Sequence, residues 1–165
     1  MSSATPPQFA ILASLDHLLD ALPGAWSGTM RTWFEPGLLG GEAPNTGQFR
    51  LLPGTHTLLY EYESSLEGRP FQGMALFGYN TLNAKMEAAW SDGFHMSSNL
   101  MISQGEVAAG GFSVLGSYAI PAGSPPWGWR TALRLVDRNH LVLTSYNISP
   151  DGAEAKALET EYTRQ

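Results

Sequence analysis

The sequence predicts an all-β fold: an antiparallel up-and-down β-barrel of about ten strands, preceded by one helix. Three observations carry that expectation. Apolar residues recur at the helical interval only near the start, where Leu12, Leu15, Leu19 and Leu22 mark a helix over about 9–22. After Pro23-Gly24 the hydrophobic period becomes two and stays two. Turn signals then recur at roughly ten-residue spacing, which joins neighbouring strands directly. About ten strands laid flat would leave two long edges and an uncovered apolar face, and rolling the sheet shut removes both problems. A two-layer sandwich meets the same turn spacing and is the alternative. The whole chain, 1–165, reads as one domain, with the helix at about 9–22 and the barrel at about 24–164.

Each element has its own justification. Trp26, Gly28, Met30, Thr32 and Phe34 alternate with Ser27, Thr29, Arg31 and Trp33, a strand. Pro36 to Gly47 is rich in Gly and Pro and reads as loop. Over 56–67, Leu58, Tyr60, Tyr62, Ser64 and Leu66 share one face, while Glu61, Glu63, Ser65 and Glu67 share the other. Gly68-Arg69-Pro70 turns into FQGMALFGY, and Asn80 to Asn83 turns again into KMEAAWSD. Short strands follow at 95–103 and 111–118, then a loop from Pro121 to Pro126. WGWRTALRLVD puts Trp127, Trp129, Thr131, Leu133 and Leu135 on one face, with Arg130 and Arg134 on the other. HLVLTSYNI and AKALETEYTR complete the set.

Composition narrows the function classes. With 9 basic and 15 acidic residues the net charge is −6, and no Lys/Arg run exists, which argues against nucleic acid as a partner. Cysteine is absent, so disulfides, thiolate metal sites and a cysteine nucleophile are excluded. The start, MSSATPPQF, lacks the character of a secretion signal, and no segment approaches the ~20 apolar residues of a membrane span. The expectation is a cytoplasmic protein with no membrane partner.

Four stretches fall in a familiar order: PGAWSG at 23–28, LLYEYESSLEGRPFQGMALFGYN at 58–80, AAWSDGF at 88–94 and SPDGAEAKALETEYTR at 149–164. They resemble the bacterial family known as domain of unknown function 1579, with its early Gly-x-Trp-x-Gly, central Gly-Tyr-Asp, Trp-x-Asp strand and C-terminal Tyr-x-Arg. The resemblance spans residues 9–164, and Asn80 stands where the family has Asp. It implies a calycin-type, lipocalin-like barrel with no established activity. It also implies a closed barrel end in which Trp26 lies under Arg164, a guanidinium-over-indole contact. An anion-binding role for Arg164 is the other option.

The chemistry-bearing stretch is GYNTLNAKMEAAWSDGFH, residues 78–95. Trp90 and Asp92 share a strand face, and a carboxylate beside His95 is suited to orient a general base. The plainer role for Asp92 is to accept backbone or Ser91/Ser97 hydrogen bonds in the turn. Tyr60, Tyr62, Phe77, Trp129 and Tyr146 are expected on the inner wall, where several inward hydroxyls imply water or a polar ligand group inside.

The resulting expectation is a barrel holding a small, partly hydrophobic or amphipathic molecule in its interior. Its site is Tyr60, Tyr62, Phe77, Trp90, Asp92, His95, Tyr146 and Arg164. An isomerase, cyclase or hydrolase using Asp92 and His95 as acid–base groups is the alternative, and a packed barrel that binds a protein is a third. No metal site is expected, because His17, His56, His95 and His140 are scattered one per segment. Haem is a minor option: related ten-stranded barrels use a late-strand His, where this chain has Tyr162 and Arg164. A dimer contact through the helix is left open.

Overall fold

The computed structural model describes residues 8–120 and 123–165. Helix α1 (Gln8–Ala21) is followed by β1 (Gly24–Glu35), β2 (Leu38–Leu51), β3 (Leu58–Leu66), β4 (Arg69–Asn80) and β5 (Lys85–Asp92). Then come β6 (Met101–Ala108), β7 (Gly111–Tyr118), β8 (Trp127–Asp137), β9 (His140–Ile148) and β10 (Glu154–Arg164). Each strand pairs antiparallel with the next, and β1 pairs with β10 from Trp26↔Arg164 to Thr32↔Leu158, so the sheet is a closed ten-stranded barrel. The sandwich alternative falls with that pairing.

Two expected elements differ. The stretch 36–47 is not a loop: Pro36-Gly37 alone makes the turn, and β2 begins at Leu38 opposite Glu35. Proline fixes its own φ and Gly37 takes φ 76°, which suffices for a two-residue connection. Register shifts fall between Thr32 and Glu35, and Phe34 is exposed, against the expected alternation. Pro44 is tolerated in β2 because pairing with β3 begins only at Thr46, so one edge is free there. The strand expected at 95–103 starts later, at Met101, and runs on through Gly105. The loop expected at 121–126 lies partly outside the described residues.

The barrel has two unlike ends. At the floor, α1 and the residue that follows it lay Leu15, Leu18, Leu19 and Leu22 onto Trp26, Phe49, Leu58, Phe77, Phe112, Leu133 and Leu141, and these form the main core. Trp26 Nε1 donates to Leu22 O at 2.9 Å, and the Arg164 guanidinium lies 4.2 Å from the Trp26 ring centroid. Arg164 also donates to Pro23 O at 3.0 Å, to Arg138 O at 2.8 Å and to Ala21 O. It thereby satisfies carbonyls that the end of α1 leaves without partners. At the other end, the connections after β5, β7 and β9 surround an open mouth with its own small core of Met96, Met101, Trp129 and Ala157.

Candidate functional site

Strand β5 ends at the mouth, and its last residue organises the turn beyond it. The Asp92 side chain is fully buried. Its Oδ1 accepts from the backbone N–H groups of Phe94 (3.2 Å), His95 (2.5 Å) and Met96 (2.9 Å), which folds residues 93–96 into a tight turn. Its Oδ2 accepts from His95 Nδ1 at 2.6 Å and from the Tyr62 hydroxyl at 3.2 Å. The Tyr62 oxygen in turn accepts from Trp90 Nε1 at 2.9 Å. The two roles open to Asp92 are therefore not exclusive, because one oxygen holds the turn and the other holds the imidazole. Ser91 makes no bond to Asp92; its hydroxyl donates to Asn99 O at 2.8 Å.

Electrostatics follow from this arrangement. Burial alone pushes the Asp92 carboxyl upward, but the His95 hydrogen bond and charge, with the Met96 and His95 N–H groups, outweigh it. The carboxyl is held below its ordinary range and stays ionised at neutral pH. Burial, reinforced by the Asp92 charge, pushes the Tyr62 phenol well up, so it remains a neutral donor. With the His95 Nδ1 proton directed at the carboxylate, Nε2 is the nitrogen left for the mouth.

Tyr62 reaches Asp92 because its neighbours in the ladder are Gly47 and Gly73. A Cβ on Gly73 would stand 2.3 Å from Tyr62 Cζ, so the phenol lies flat over a residue that must lack a side chain. Stacked rings continue down the wall, with Tyr62 to Tyr60 at 5.0 Å and Tyr60 to Phe49 at 4.4 Å.

Space is unevenly shared between the mouth and the interior. The enclosed middle of the barrel holds about 50 Å³, bordered by Tyr60, Phe77, Trp90, Trp129, Ser103 and Ser145. That is room for a few waters and not for a ligand of several heavy atoms, so the ligand expected in the interior has no space there. Tyr60 and Phe77 are placed beside this small void, and aromatic side chains fill what would otherwise be the cavity. The Tyr60 hydroxyl needs no ligand either: it bonds the Tyr162 hydroxyl at 2.7 Å, and Tyr162 donates to Asn45. The larger space is a pocket of about 420 Å³ at the mouth, lined by Trp90, His95, Met96, Tyr118, Trp129 and Asn147, among others. Trp90 and Trp129 stack at 5.5 Å with planes 13° apart and separate the pocket from the inner void. A larger groove of about 800 Å³ crosses the outer faces of β1 to β5, past Gln48, Glu61, Gln72 and Met74, but it lies open to solvent.

Two expected site residues stand elsewhere. Tyr146 faces outward, with the Arg130 guanidinium 4.1 Å from its ring centroid. On β9 the inner row is Leu141, Leu143, Ser145 and Asn147, so toward the mouth the more polar face points in; choosing the apolar face selects the wrong side. Arg164 is at the floor, each of its three guanidinium nitrogens donating to a main-chain carbonyl there, and it does not line the mouth pocket. Tyr118 and Asn147 join the site although sequence reasoning did not select them; the Tyr118 hydroxyl donates to Asn147 Oδ1 at 2.7 Å across the pocket wall. Strict alternation from Phe112 along β7 points to Tyr118, and alternation from Leu141 along β9 points to Asn147.

The enclosed space has no room for a haem, and none of the four histidines stands on its wall. His140, for example, is exposed and bonds Asp137 at a floor turn. Among the described residues, no three metal-ligating side chains come together, and no helix is long and apolar enough to cross a membrane.

A closed ten-stranded antiparallel barrel with a helix on its floor is a lipocalin-like β-barrel fold. More particularly, the chain belongs to DUF1579, a family of protein of unknown function, whose model matches residues 14–164. Among solved structures it is similar to the S-type phycobiliprotein lyase CPES from Guillardia theta, with a TM-score of 0.63 and 10% identity over 92% of this chain and 93% of that one. It is also similar to Rv2717c from M. tuberculosis, with a TM-score of 0.58 and 13% identity over 92% of this chain and 97% of that one. No curated protein matches it in sequence.

Proposed function

We propose that this barrel binds a small, flat, partly hydrophobic molecule at its mouth, with the Trp90 and Trp129 rings as the apolar surface and His95 Nε2 as the polar anchor. The observation that carries the reading is the convergence of those indoles with an imidazole held at 2.6 Å by a buried carboxylate, on a pocket of about 420 Å³. That volume lies within the ~300–1,000 Å³ typical of small-molecule sites. Tyr62 acts behind the anchor by fixing Asp92. The interior contributes support and not ligand space.

The test is native mass spectrometry of protein purified from its own host, together with tryptophan fluorescence against a panel of polycyclic ligands. A bound molecule whose affinity falls at least tenfold in Trp129→Leu supports the reading. Ligands that bind with unchanged affinity in that variant place the site elsewhere and overturn it.

One observation favours a second reading. An ionised carboxylate holding Nδ1 leaves Nε2 as a general base, so the same pocket is suited to an isomerase, cyclase or hydrolase. His95→Ala would then abolish turnover of a bound ligand while changing its affinity modestly. Retained turnover in that variant would remove this alternative.

A further inference from the structure

We infer that the mouth pocket selects a flat aromatic cation, such as a protonated ring amine, over an anion of the same shape. This deepens the proposal above and rests on it. Four aromatic rings line the pocket: Trp90 and Trp129 at 5.5 Å, His95 at 5.8 and 6.0 Å from them, and Tyr118 at 6.4 Å from Trp129. Aromatic faces present negative electrostatic potential and attract cations placed over them.

The charges around the pocket point the same way. Among the described residues, no Lys or Arg lines it. Arg130, on the strand that carries Trp129, faces outward, where it bonds Glu154 at 2.8 Å and covers Tyr146. The fixed charge behind the wall is Asp92, fully buried and held by five donors. Its pair with His95 is net negative when the imidazole is neutral and net zero when it is protonated, and in neither state is it positive. An anion entering here would lose its hydration with no net positive charge to replace it. Asn147 and Ser117 are neutral groups that suit a hydroxyl or carbonyl substituent but cannot offset a full negative charge. Beside Asn147 the Tyr118 oxygen, having donated its proton to that residue, presents lone pairs to an N–H. The net charge of −6 adds a long-range bias toward cations.

The experiment compares 9-aminoacridine with acridine-9-carboxylate, two flat three-ring probes of opposite charge, by fluorescence titration and calorimetry on the full chain. The cation is expected to bind at least tenfold more tightly. Asn147→Lys places a positive charge on the wall and is expected to erase or reverse that preference. Ser117→Lys, at an exposed rim position, does the same if the first variant fails to fold. Equal or tighter binding of the carboxylate overturns the inference while leaving a mouth-binding barrel intact. A preference untouched in a folded lysine variant also overturns it. Binding of neither probe overturns both this inference and the reading on which it rests.

Discussion

Arg164 and Trp26 face each other across the seam where the last strand meets the first, the guanidinium 4.2 Å from the indole centroid. One side chain thereby stacks on the floor tryptophan and holds the carbonyls at the end of α1. Cation–π contact contributes about 0.5–2 kcal/mol, and each hydrogen bond about 0.5–1.5 kcal/mol. Arg164→Ala should therefore lower unfolding free energy by about 2–4 kcal/mol in urea titration. Arg164→Lys should recover less than half of that, because an ammonium cannot span the same carbonyls. Mouth affinity should stay within twofold in either variant, and a larger change would restore Arg164 as a ligand anchor.

The Asp92 network sets an acid limit on stability. Its carboxyl titrates below the ordinary value in the folded state, so the stabilisation is present above the unfolded pKa of about 4 and is lost as pH falls through the depressed folded value. Asp92→Asn removes this dependence. Melting curves from pH 7 to pH 3 should converge for the two proteins at the acid end, with the wild type more stable at neutral pH. Parallel curves would show that the carboxylate contributes nothing specific.

Gly73→Ala tests the flat seating of Tyr62. A methyl group there meets the phenol well inside contact distance, so the ring must lift from the wall and surrender its bond to Asp92. The expected loss is about 1–3 kcal/mol, with a red shift in tryptophan emission as Trp90 Nε1 loses its acceptor. Tyr62→Phe should reproduce the spectral change without the steric cost. If Gly73→Ala is silent in both measurements, the close packing has no role in holding the network.

Alkaline titration reports on the wall. Burial raises Tyr60 and Tyr62 well above the ordinary phenol range, and Tyr162 and Tyr118 are raised as well. A raised folded pKa means stability is complete below the unfolded value of about 10 and declines as pH rises from there toward the folded value. Tyrosinate absorbance should therefore lag at about pH 11 and then appear together with loss of near-ultraviolet dichroism. Smooth ionisation of all six tyrosines before unfolding would contradict the sealed interior.

The barrel was legible because alternation is clean wherever one face is wet, as with Glu61 and Glu63 against Tyr60 and Tyr62. Legibility failed where composition misleads. Gly40, Gly41 and Pro44 give β2 the look of a loop, although long pairing with β1 holds them extended. Trp90, Asp92 and His95 were visible as a cluster because they are near neighbours in sequence. Tyr118, Trp129 and Asn147 come to the same pocket from three other strands, and only the register of a closed barrel brings them there. Tyr146 shows the limit of an apolar-face rule on a strand whose outer face is covered by an arginine.

The seam between β1 and β10 pairs residues 26 to 32 with residues 158 to 164, almost the full span of the sheet. Such distant partners cannot meet until the nine hairpins between them have curled far enough, so loop-closure entropy delays this step. Zipping of the seam should then be the slow event in refolding. A chain arrested before it would be a curled ribbon with two bare edges, the form most prone to associate with its own copies. Arg164, which locks only after the zipper reaches its end, marks the moment at which that hazard disappears.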